Sequence, residues 1–310
     1  PFRPDVDLRV PVAVYQRSSS WHAIFEEYLA GLTHVIWESA LPLLGRRHDS
    51  DALREIVRLK DRGVRGALMF HGSDIRPPAR HAAESEWSPF SGVTGPTRAL
   101  SDTAERNAEL AAASGVPVFV STPDLLRWLP DATWCPVVID PSLWRQTAMS
   151  RSALGPPVVA HAPSQKWMKG TTLIEPMLRR LSEEGVIEYR QVVGVAHASM
   201  PAFYASADIV LDQFLVGSYG VTACEAMAAG KLVMGHVDEF TRDQVVERAG
   251  LELPIHEATV DSLETELRRV AADTHAFESV RRAGPDFVAA VHEGRRSASA
   301  LAPFLGAGVT

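Results

Sequence analysis

The sequence predicts an α/β protein built from two Rossmann-like domains, each with a parallel sheet. Short Val- and Ile-rich runs alternate with longer segments of helical period, which is the pattern of βαβ units. A length of 310 residues favours two domains. The alternation also stops and restarts across a polar, proline-containing segment at 140–157. We therefore predict an N-terminal domain at 1–145 and a C-terminal domain at 146–310.

The composition excludes several classes of function. Hydrophobic residues make up 46% and charged residues 22% of the chain, as is typical of folded globular proteins. No apolar run approaches the ~18 residues that span a bilayer, and no signal-peptide pattern opens the chain, so we expect no transmembrane segment and a cytoplasmic location. The net charge of −7 argues against a nucleic acid as partner, because phosphate backbones bind basic surfaces. We expect Cys135 and Cys224 to be reduced and buried.

The elements of the first half follow from its apolar runs and helical periods. Strands are expected at 10–15, 34–37, 66–70 and 116–120 and near Val137, and helices at 21–32, 51–61 and 102–114. The segment 76–100 is rich in Pro, Gly and Ser, so we predict a long loop, of a length that is usually functional. The first residue is Pro rather than Met, and we expect a further segment to precede it.

The second half repeats the alternation from the run PVVAHAPS at 157–164 onwards. Further strands are expected at 189–193, 208–212 and 231–235, and helices at 170–184, 200–207, 221–229, 260–272 and in the C-terminal tail. The sequence has no internal repeat beyond this alternation. The alternation therefore predicts a second Rossmann-like domain that ends in C-terminal helices.

The passage at 160–172 leaves a strand and enters a helix, which predicts an anion site. A helix N-terminus offers unpaired N–H groups and a partial positive charge. Ser164, Lys166, Lys169 and Thr171 add donors around that point. The alternative is an ordinary loop with solvated lysines.

The passage at 217–235 is a second loop between a strand and a helix. Ser218, Tyr219 and Gly220 fall beyond the carboxyl end of a strand, where open α/β sheets bind ligands. Glu225 follows in the first turns of the helix, where it can accept hydrogen bonds from a diol. The alternative is a capping box, since Thr222 and Glu225 have the required spacing.

The passage at 69–78 places three polar side chains after another strand. His71, Asp74 and Arg76 leave the sheet together and open the long loop. A histidine there can orient a hydroxyl or transfer a proton, because its pKa is near neutrality. The alternative is a structural histidine. We take His71 and Asp74 as the candidate catalytic residues.

These passages together resemble a known family. The matching runs are, in chain order, HAPS and KGT, then YRQVVGV and MPAFYASADIVLD, then YGVTACEAMAAGKLVMG. Over about 157–235 they resemble the C-terminal half of retaining GT-B glycosyltransferases of family GT4. FHGSDIR and PVFVSTPDLLRWLPDATWCPVVID resemble parts of the family's N-terminal domain. The resemblance implies the GT-B fold, two facing Rossmann-like domains, with an N-terminal domain that is short and lacks a glycine-rich first loop.

The resemblance also implies roles for the candidate residues. Lys169 matches the lysine that contacts the donor diphosphate, and Glu225 matches the glutamate that holds the ribose. The amides of Ser218, Tyr219 and Gly220 would reach the phosphates or the sugar. Further residues follow in the same way: Gly194 and Val195 near the base, and His71 as the active-site histidine facing the donor sugar.

Two positions depart from the family pattern. The family often has two glutamates with seven residues between them, but the first position is Gly217 here. That glutamate ordinarily lies beside the transferred sugar. An arginine that often precedes the lysine is replaced by Ser164, and we expect Lys166 to supply its charge.

The resemblance implies a retaining transferase that moves a sugar from a nucleoside-diphosphate sugar to a small-molecule or glycan acceptor. We expect the UDP form of the donor, no further cofactor and no metal ion, since no DxD-like cluster is present. Two alternatives stay open: a degenerate homologue that binds a nucleotide or a partner without turnover, and an epimerase or phosphorylase on the same fold. The position of His71 and Asp74 relative to Lys169 and Glu225 separates an enzyme from a degenerate homologue.

Overall fold

The computed structural model describes residues 8–45, 51–92, 95–145 and 155–306. Within them the chain forms two parallel β sheets, one from each half, with helices packed on both. This confirms the predicted fold class. The predicted domain boundary at 145/146 lies at the edge of a segment outside the described residues.

The first sheet has four parallel strands in the order β1-β2-β3-β4. The strands are β1 (His34–Glu38), β2 (Arg65–Phe70), β3 (Val118–Val120) and β4 (Thr133–Trp134). The helices of this half are α1 (Val12–Arg17), α2 (Ser19–Ala30), α3 (Ala52–Asp61), α4 (Pro78–Glu84), α5 (Gly95–Ser114) and α6 (Pro141–Arg145), with a 3-10 helix at Pro123–Arg127. The order places the carboxyl ends of β1 and β2 side by side.

The structure corrects three predictions in this half. The segment predicted as a strand at 10–15 is α1, whose residues are not buried, because Pro11 begins a surface helix. The loop predicted at 76–100 contains α4 and the first turns of α5, since the prolines that indicated a loop begin a helix instead. The strand expected near Val137 lies earlier, at β4.

The second sheet has five parallel strands in the order β6-β5-β7-β8-β9. The strands are β5 (Val158–His161), β6 (Glu188–Gln191), β7 (Ile209–Leu211), β8 (Leu232–Gly235) and β9 (His256–Glu257). The helices are α7 (Lys166–Lys169), α8 (Thr171–Glu183), α9 (Met200–Ala205), α10 (Val221–Ala228), α11 (Glu239–Ala249), α12 (Leu263–Ala272), α13 (Glu278–Val291) and α14 (Arg295–Leu305), with 3-10 helices at His197–Ser199 and Thr274–Phe277. The strand order reverses between β5 and β7, and ligands bind beyond the strand ends at such a switch point.

The core of the second sheet comes largely from strands buried on both faces. All residues of β5, β7 and β8 are buried, as expected for parallel strands covered by helices. In the first half, Trp37 is fully buried and its Nε1 donates to Glu55 Oε2 at 2.9 Å. The same carboxylate accepts the N–H groups of Leu43 and Leu44, so it fixes the loop that follows β1.

The last helix returns to the first sheet. The ring of Phe304 in α14 packs 6.2 Å from Phe119 of β3, and Ser297 Oγ donates to the carbonyl of Pro136 at 2.6 Å. At the end of α13, His292 Nδ1–H donates to the carbonyl of Val137 at 2.9 Å. The two halves are therefore joined by two passages of the chain.

No helix in the described part of the chain is long and apolar enough to cross a bilayer.

Candidate functional site

A cavity of about 370 Å³ lies between the two halves. Its walls include residues after β2 on one side and residues after β7 on the other. Five predicted site residues line it: His71, Asp74, Ser218, Tyr219 and Gly220. The two loops that sequence reasoning singled out separately therefore face one another.

His71 stands directly after β2 with its imidazole at the cavity. The side chain is partly exposed, and its Nε2 lies 4.0 Å from Glu38 Oε1 at the end of β1. Only the backbone N–H of His71 bonds to Asp74, at 3.0 Å. The ring is thus placed by the loop and stays accessible from the cavity.

Asp74 holds this loop in shape. Its carboxylate accepts hydrogen bonds from the N–H groups of His71 and Gly72, the latter at 2.7 Å, and from Ser39 Oγ at 2.7 Å. Ser39 and Ala40 have φ near 53° and 51°, a left-handed conformation that is uncommon without glycine. Asp74 is thus engaged on both oxygens, and its visible role is to position His71.

A buried ion pair connects the first half to the second. Arg76 Nη2 donates to Asp124 Oδ2 at 2.5 Å, and Ser218 Oγ donates to Asp124 Oδ1 at 2.5 Å. All three side chains are buried. Burial acts to raise the pKa of Asp124, but the Arg76 charge and the bonds from Ser218 and Arg76 outweigh it, so the pKa lies below its usual value. We call this set the interdomain bridge.

Other contacts cross the cleft beside the bridge. Arg127 Nη2 donates to Asp238 Oδ2 at 2.6 Å, and His81 Nε2–H donates to the carbonyl of Val216 at 3.1 Å. Burial lowers the pKa of His81, which favours the neutral imidazole that this bond pattern requires. The halves therefore meet in a closed arrangement around the cavity.

Lys169 is linked to the cavity wall through Asp212, which bonds both Lys169 and the cavity residue Gly220. Its Nζ donates to Asp212 Oδ1 at 2.8 Å and to Thr222 Oγ1 at 3.1 Å. The other oxygen of Asp212 accepts the Gly220 N–H at 3.0 Å. The buried Asp212, which the sequence reasoning did not single out, thus joins the predicted lysine to the predicted loop.

The other residues of the 160–172 passage lie differently from Lys169. Lys166 Nζ donates to Gln191 Oε1 at 3.3 Å and lies 3.7 Å from Glu175, at the β6 side of the sheet. Ser164 is exposed. Thr171 is buried and its hydroxyl bonds His161 Nε2 at 2.8 Å, so it is held within the protein. Lys169 is the member of this set that the fold brings next to the cavity loops.

Glu225 does not cap its helix. Gly220 is the N-cap of α10 and no side chain caps it, while Thr222 contacts Lys169 instead. Glu225 Oε1 accepts a 2.6 Å hydrogen bond from His197 Nε2. Burial raises the pKa of Glu225, and His197 and Lys169 offset part of the rise. The structure therefore contradicts the capping-box alternative.

Gly194 and Val195 lie in the loop between β6 and the 3-10 helix His197–Ser199. Both are exposed, and Gly194 has a φ of 72°. The loop leads directly to His197, which contacts Glu225. The predicted base region and the predicted ribose residue are thus neighbours.

Gly217 occupies a position that disfavours a side chain. Its φ is 68°, and a Cβ added there would stand 3.0 Å from Asp238 Oδ2. Its carbonyl accepts the N–H of Asp238 at 3.0 Å and the hydroxyl of Thr241 at 2.9 Å. A glutamate at 217 would adopt a strained φ and would require Asp238 to shift.

Sequence reasoning missed four polar residues near the site: Asp124, Asp212, His197 and Asp238. Asp124 and Asp212 follow the carboxyl ends of β3 and β7, so the rule that places ligands at strand ends could have indicated them. Asp238 follows the carboxyl end of β8 and carries the same signal, whereas His197 lies further from a strand end and carries none. In the described segments, no group of three or more His, Cys, Asp or Glu side chains is arranged to hold a metal ion.

No protein-family model matches the sequence, and no curated protein matches it. Solved structures do. Sucrose-phosphate synthase from Thermosynechococcus elongatus is 15% identical, with a TM-score of 0.60 over 96% of this chain and 79% of that one. HepE of Anabaena, solved with UDP and glucose, is 13% identical, with a TM-score of 0.60 over 93% and 81%. WaaG, a glycosyltransferase involved in lipopolysaccharide biosynthesis, is 12% identical, with a TM-score of 0.53 over 94% and 97%. Together with the two parallel sheets, these similarities show that the chain has the GT-B fold.

Proposed function

We propose that this protein is a glycosyltransferase that moves a sugar from a nucleoside-diphosphate sugar to an acceptor hydroxyl or amine. The observation that carries the proposal is the cavity between the halves, where His71 and Asp74 face Ser218, Tyr219 and Gly220. HepE, which shares the fold, binds UDP and UDP-glucose, which supports UDP as the nucleotide. We place the protein in family GT4 on the sequence passages given above.

The second half supplies the donor contacts in this proposal. Lys169 would donate to a diphosphate oxygen from beside the loop that carries Gly220, while its ion pair with Asp212 holds the ammonium in place. Lys169 has three N–H donors, of which two are used internally, so one is available for a phosphate oxygen. Glu225 accepts from the ribose hydroxyls. Gly194 and Val195 lie beside the base.

We propose transfer with retention at the anomeric carbon. The acceptor oxygen attacks from the face that the diphosphate leaves, its bond to the anomeric carbon forms, and the bond to the phosphate oxygen breaks. The bonding electrons leave with the nucleoside diphosphate, and the acceptor proton passes to that leaving group. His71 orients the sugar at the cavity wall, while Asp74 keeps the His71 loop in place.

A second candidate is a nucleotide- or partner-binding homologue without turnover. The observation that favours it is Gly217, which lacks the carboxylate that the family usually carries and has a positive φ with Asp238 packed against it. Such a protein would keep Lys169 and Glu225 for binding alone. Binding and turnover must therefore be measured separately.

The first experiment is calorimetry of the purified chain with UDP, GDP, ADP and TDP, without added metal. We expect saturable binding of one nucleotide that is lost in Lys169→Ala and kept in Lys60→Ala, since Lys60 is an exposed residue of α3. If no nucleotide binds, the proposal fails.

Turnover is then followed with the matching sugar nucleotide by release of the free nucleoside diphosphate and by NMR of the sugar product. A product with the donor's anomeric configuration supports retention, and an inverted product contradicts it. Tight binding without release of nucleotide, across a panel of sugars and acceptors, supports the second candidate. Conversion of the sugar nucleotide without an acceptor identifies an epimerase.

A further inference from the structure

An imidazole and a buried carboxylate meet between the 3-10 helix His197–Ser199 and α10. His197 Nε2 lies 2.6 Å from Glu225 Oε1. The Glu225 side chain is 6% exposed and the His197 side chain 48%. The histidine is thus open to solvent, whereas the carboxylate is largely buried with a small exposed fraction.

We propose that His197 is a positioning residue that holds the Glu225 carboxylate in its charged form and aims its second oxygen at the nucleotide's ribose. The part concerning the ribose rests on the proposed function. The part concerning the charge and orientation of Glu225 rests on the pair alone. The two parts therefore have separate tests.

The first argument concerns charge. A carboxylate in a buried site is disfavoured unless a donor or an opposite charge compensates it. The groups that face Glu225 are His197, Lys169 in α7, Asp212 after β7, Tyr204 in α9 and Cys224 on its own helix. Burial raises the pKa of Glu225, Asp212 adds to the rise, and the strongest opposing effect comes from the hydrogen bond and charge of His197.

The second argument concerns direction. His197 engages Oε1, and within the described residues no hydrogen-bond partner is seen for Oε2 of Glu225. A carboxylate accepts hydrogen bonds and donates none, so it fits the two O–H donors of a ribose cis-diol. A ligand with this diol is recognised best while the carboxylate is ionised and held still.

The third argument concerns support for the imidazole. The buried ring of Trp144 contacts His197 edge-on, with the centroids 5.7 Å apart, and the same indole lies 5.7 Å from Tyr204. His197 also ends the loop that carries Gly194 and Val195. Trp144 therefore supports the imidazole of His197, and His197 connects the predicted base region to Glu225.

The test of the ribose part is calorimetry with UDP between pH 5.5 and 8.5 for wild type, His197→Ala and His197→Gln. We expect His197→Ala to weaken binding by roughly tenfold near pH 6, as for loss of a hydrogen bond to a charged group, and by less at higher pH, because burial raises the pKa of Glu225 and a higher pH favours its charged form. His197→Gln retains an N–H donor, so it restores most of the affinity. An equal loss at every pH, or no rescue by Gln, overturns this part.

The matched control is His256→Ala. His256 Nε2 bonds Glu266 at 2.7 Å between β9 and α12, which gives the same kind of pair away from the cavity. This variant should bind UDP as wild type does at each pH. A loss like that of His197→Ala would mean that any broken His–Glu pair perturbs binding, and would overturn the inference.

The charge part is tested without a ligand. The carboxyl carbon of Glu225 is followed by ¹³C NMR in wild type and His197→Ala, and is assigned with Glu225→Gln. We expect its titration to move to higher pH in His197→Ala. An unmoved titration overturns this part even where UDP binds, and a moved titration upholds it even where no nucleotide binds and the proposed function fails.

Discussion

Glu225 lies buried near the start of α10 but does not cap the helix. Its effect on protein stability can therefore be measured separately from its effect on ligand binding. We expect Glu225→Ala to weaken UDP binding at least about tenfold, since a hydrogen bond to a charged group contributes roughly 1.5–3 kcal/mol. The Glu225→Ala variant should lose less stability than the loss of an N-cap causes, which is about 1 kcal/mol. Thermal unfolding and calorimetry measure the two effects.

The matched control for Glu225→Ala is a variant of a residue that does cap a helix, Asp51. Asp51 accepts the N–H of Arg54 at 2.8 Å at the start of α3. Asp51→Ala should lower stability by about 1 kcal/mol and leave UDP binding unchanged. A larger loss of stability in Glu225→Ala than in Asp51→Ala, with normal binding, would return Glu225 to a structural role.

His71 offers the second test at the scale of a single residue. Its ring faces the cavity while its backbone is tied to Asp74, so His71→Ala removes the imidazole and leaves the loop bonds in place. We expect kcat to fall by about a hundredfold or more, in the range of acid–base and positioning residues, with little change in donor Kd. Steady-state kinetics and calorimetry test this. Unchanged turnover would remove His71 from the active site.

The interdomain bridge is an interaction between elements, because Arg76 follows β2, Asp124 follows β3 and Ser218 follows β7. Removing one partner of a buried ion pair leaves an uncompensated charge, so Asp124→Ala should destabilise the protein by about 3–5 kcal/mol. Arg80→Ala, which breaks the exposed pair with Glu84, should change stability by less than about 1 kcal/mol. Urea unfolding measures both.

A double-mutant cycle then isolates the contact between the halves. Asp124→Asn and Ser218→Ala, singly and together, should show a coupling of about 0.5–3 kcal/mol, since the two residues share a buried hydrogen bond. Additive effects would mean that the 2.5 Å contact does not hold the halves together.

Predictions from sequence succeeded for elements with a strong apolar period. They failed where a proline fits either a loop or the start of a helix. The strands at 66–70 and 208–212 and the helix at 170–184 were predicted closely because their apolar spacing leaves one interpretation. The short run at 10–15 fits a strand or a helix, and periodicity alone cannot separate them. For the candidate site, residue type and strand-end position indicated His71 and Ser218, and both line the cavity. The partner of Glu225 depends on tertiary contact and leaves no local signal.

The stability of the whole molecule should depend on pH through two buried histidines. Burial lowers the pKa of both His161 and His292 to about 4, and backbone carbonyls fix each neutral ring. The unfolded chain binds a proton at each near pH 6.5 and the folded chain does not, so their stabilisation is complete above pH 6.5, declines as pH falls, and is gone below about 4. We expect a slope of up to about 1.4 kcal/mol per pH unit for each histidine.

Urea unfolding between pH 7 and pH 4 measures this slope. His292→Gln should reduce it, with His161 and the buried His81 contributing to the slope that remains, whereas His275→Gln, at an exposed histidine, should leave it unchanged. The same slope in wild type and His292→Gln would contradict a buried neutral imidazole at position 292.

The return of α14 to the first sheet limits how the two halves can move. The chain passes between them twice, once after Ile139 and once after His292, and the Ile139 N–H donates to the His292 carbonyl at 2.7 Å. The two crossings are thus tied to each other at one place. A widening of the cleft would have to keep this tie while it breaks contacts that cross the cleft, such as Arg127 with Asp238.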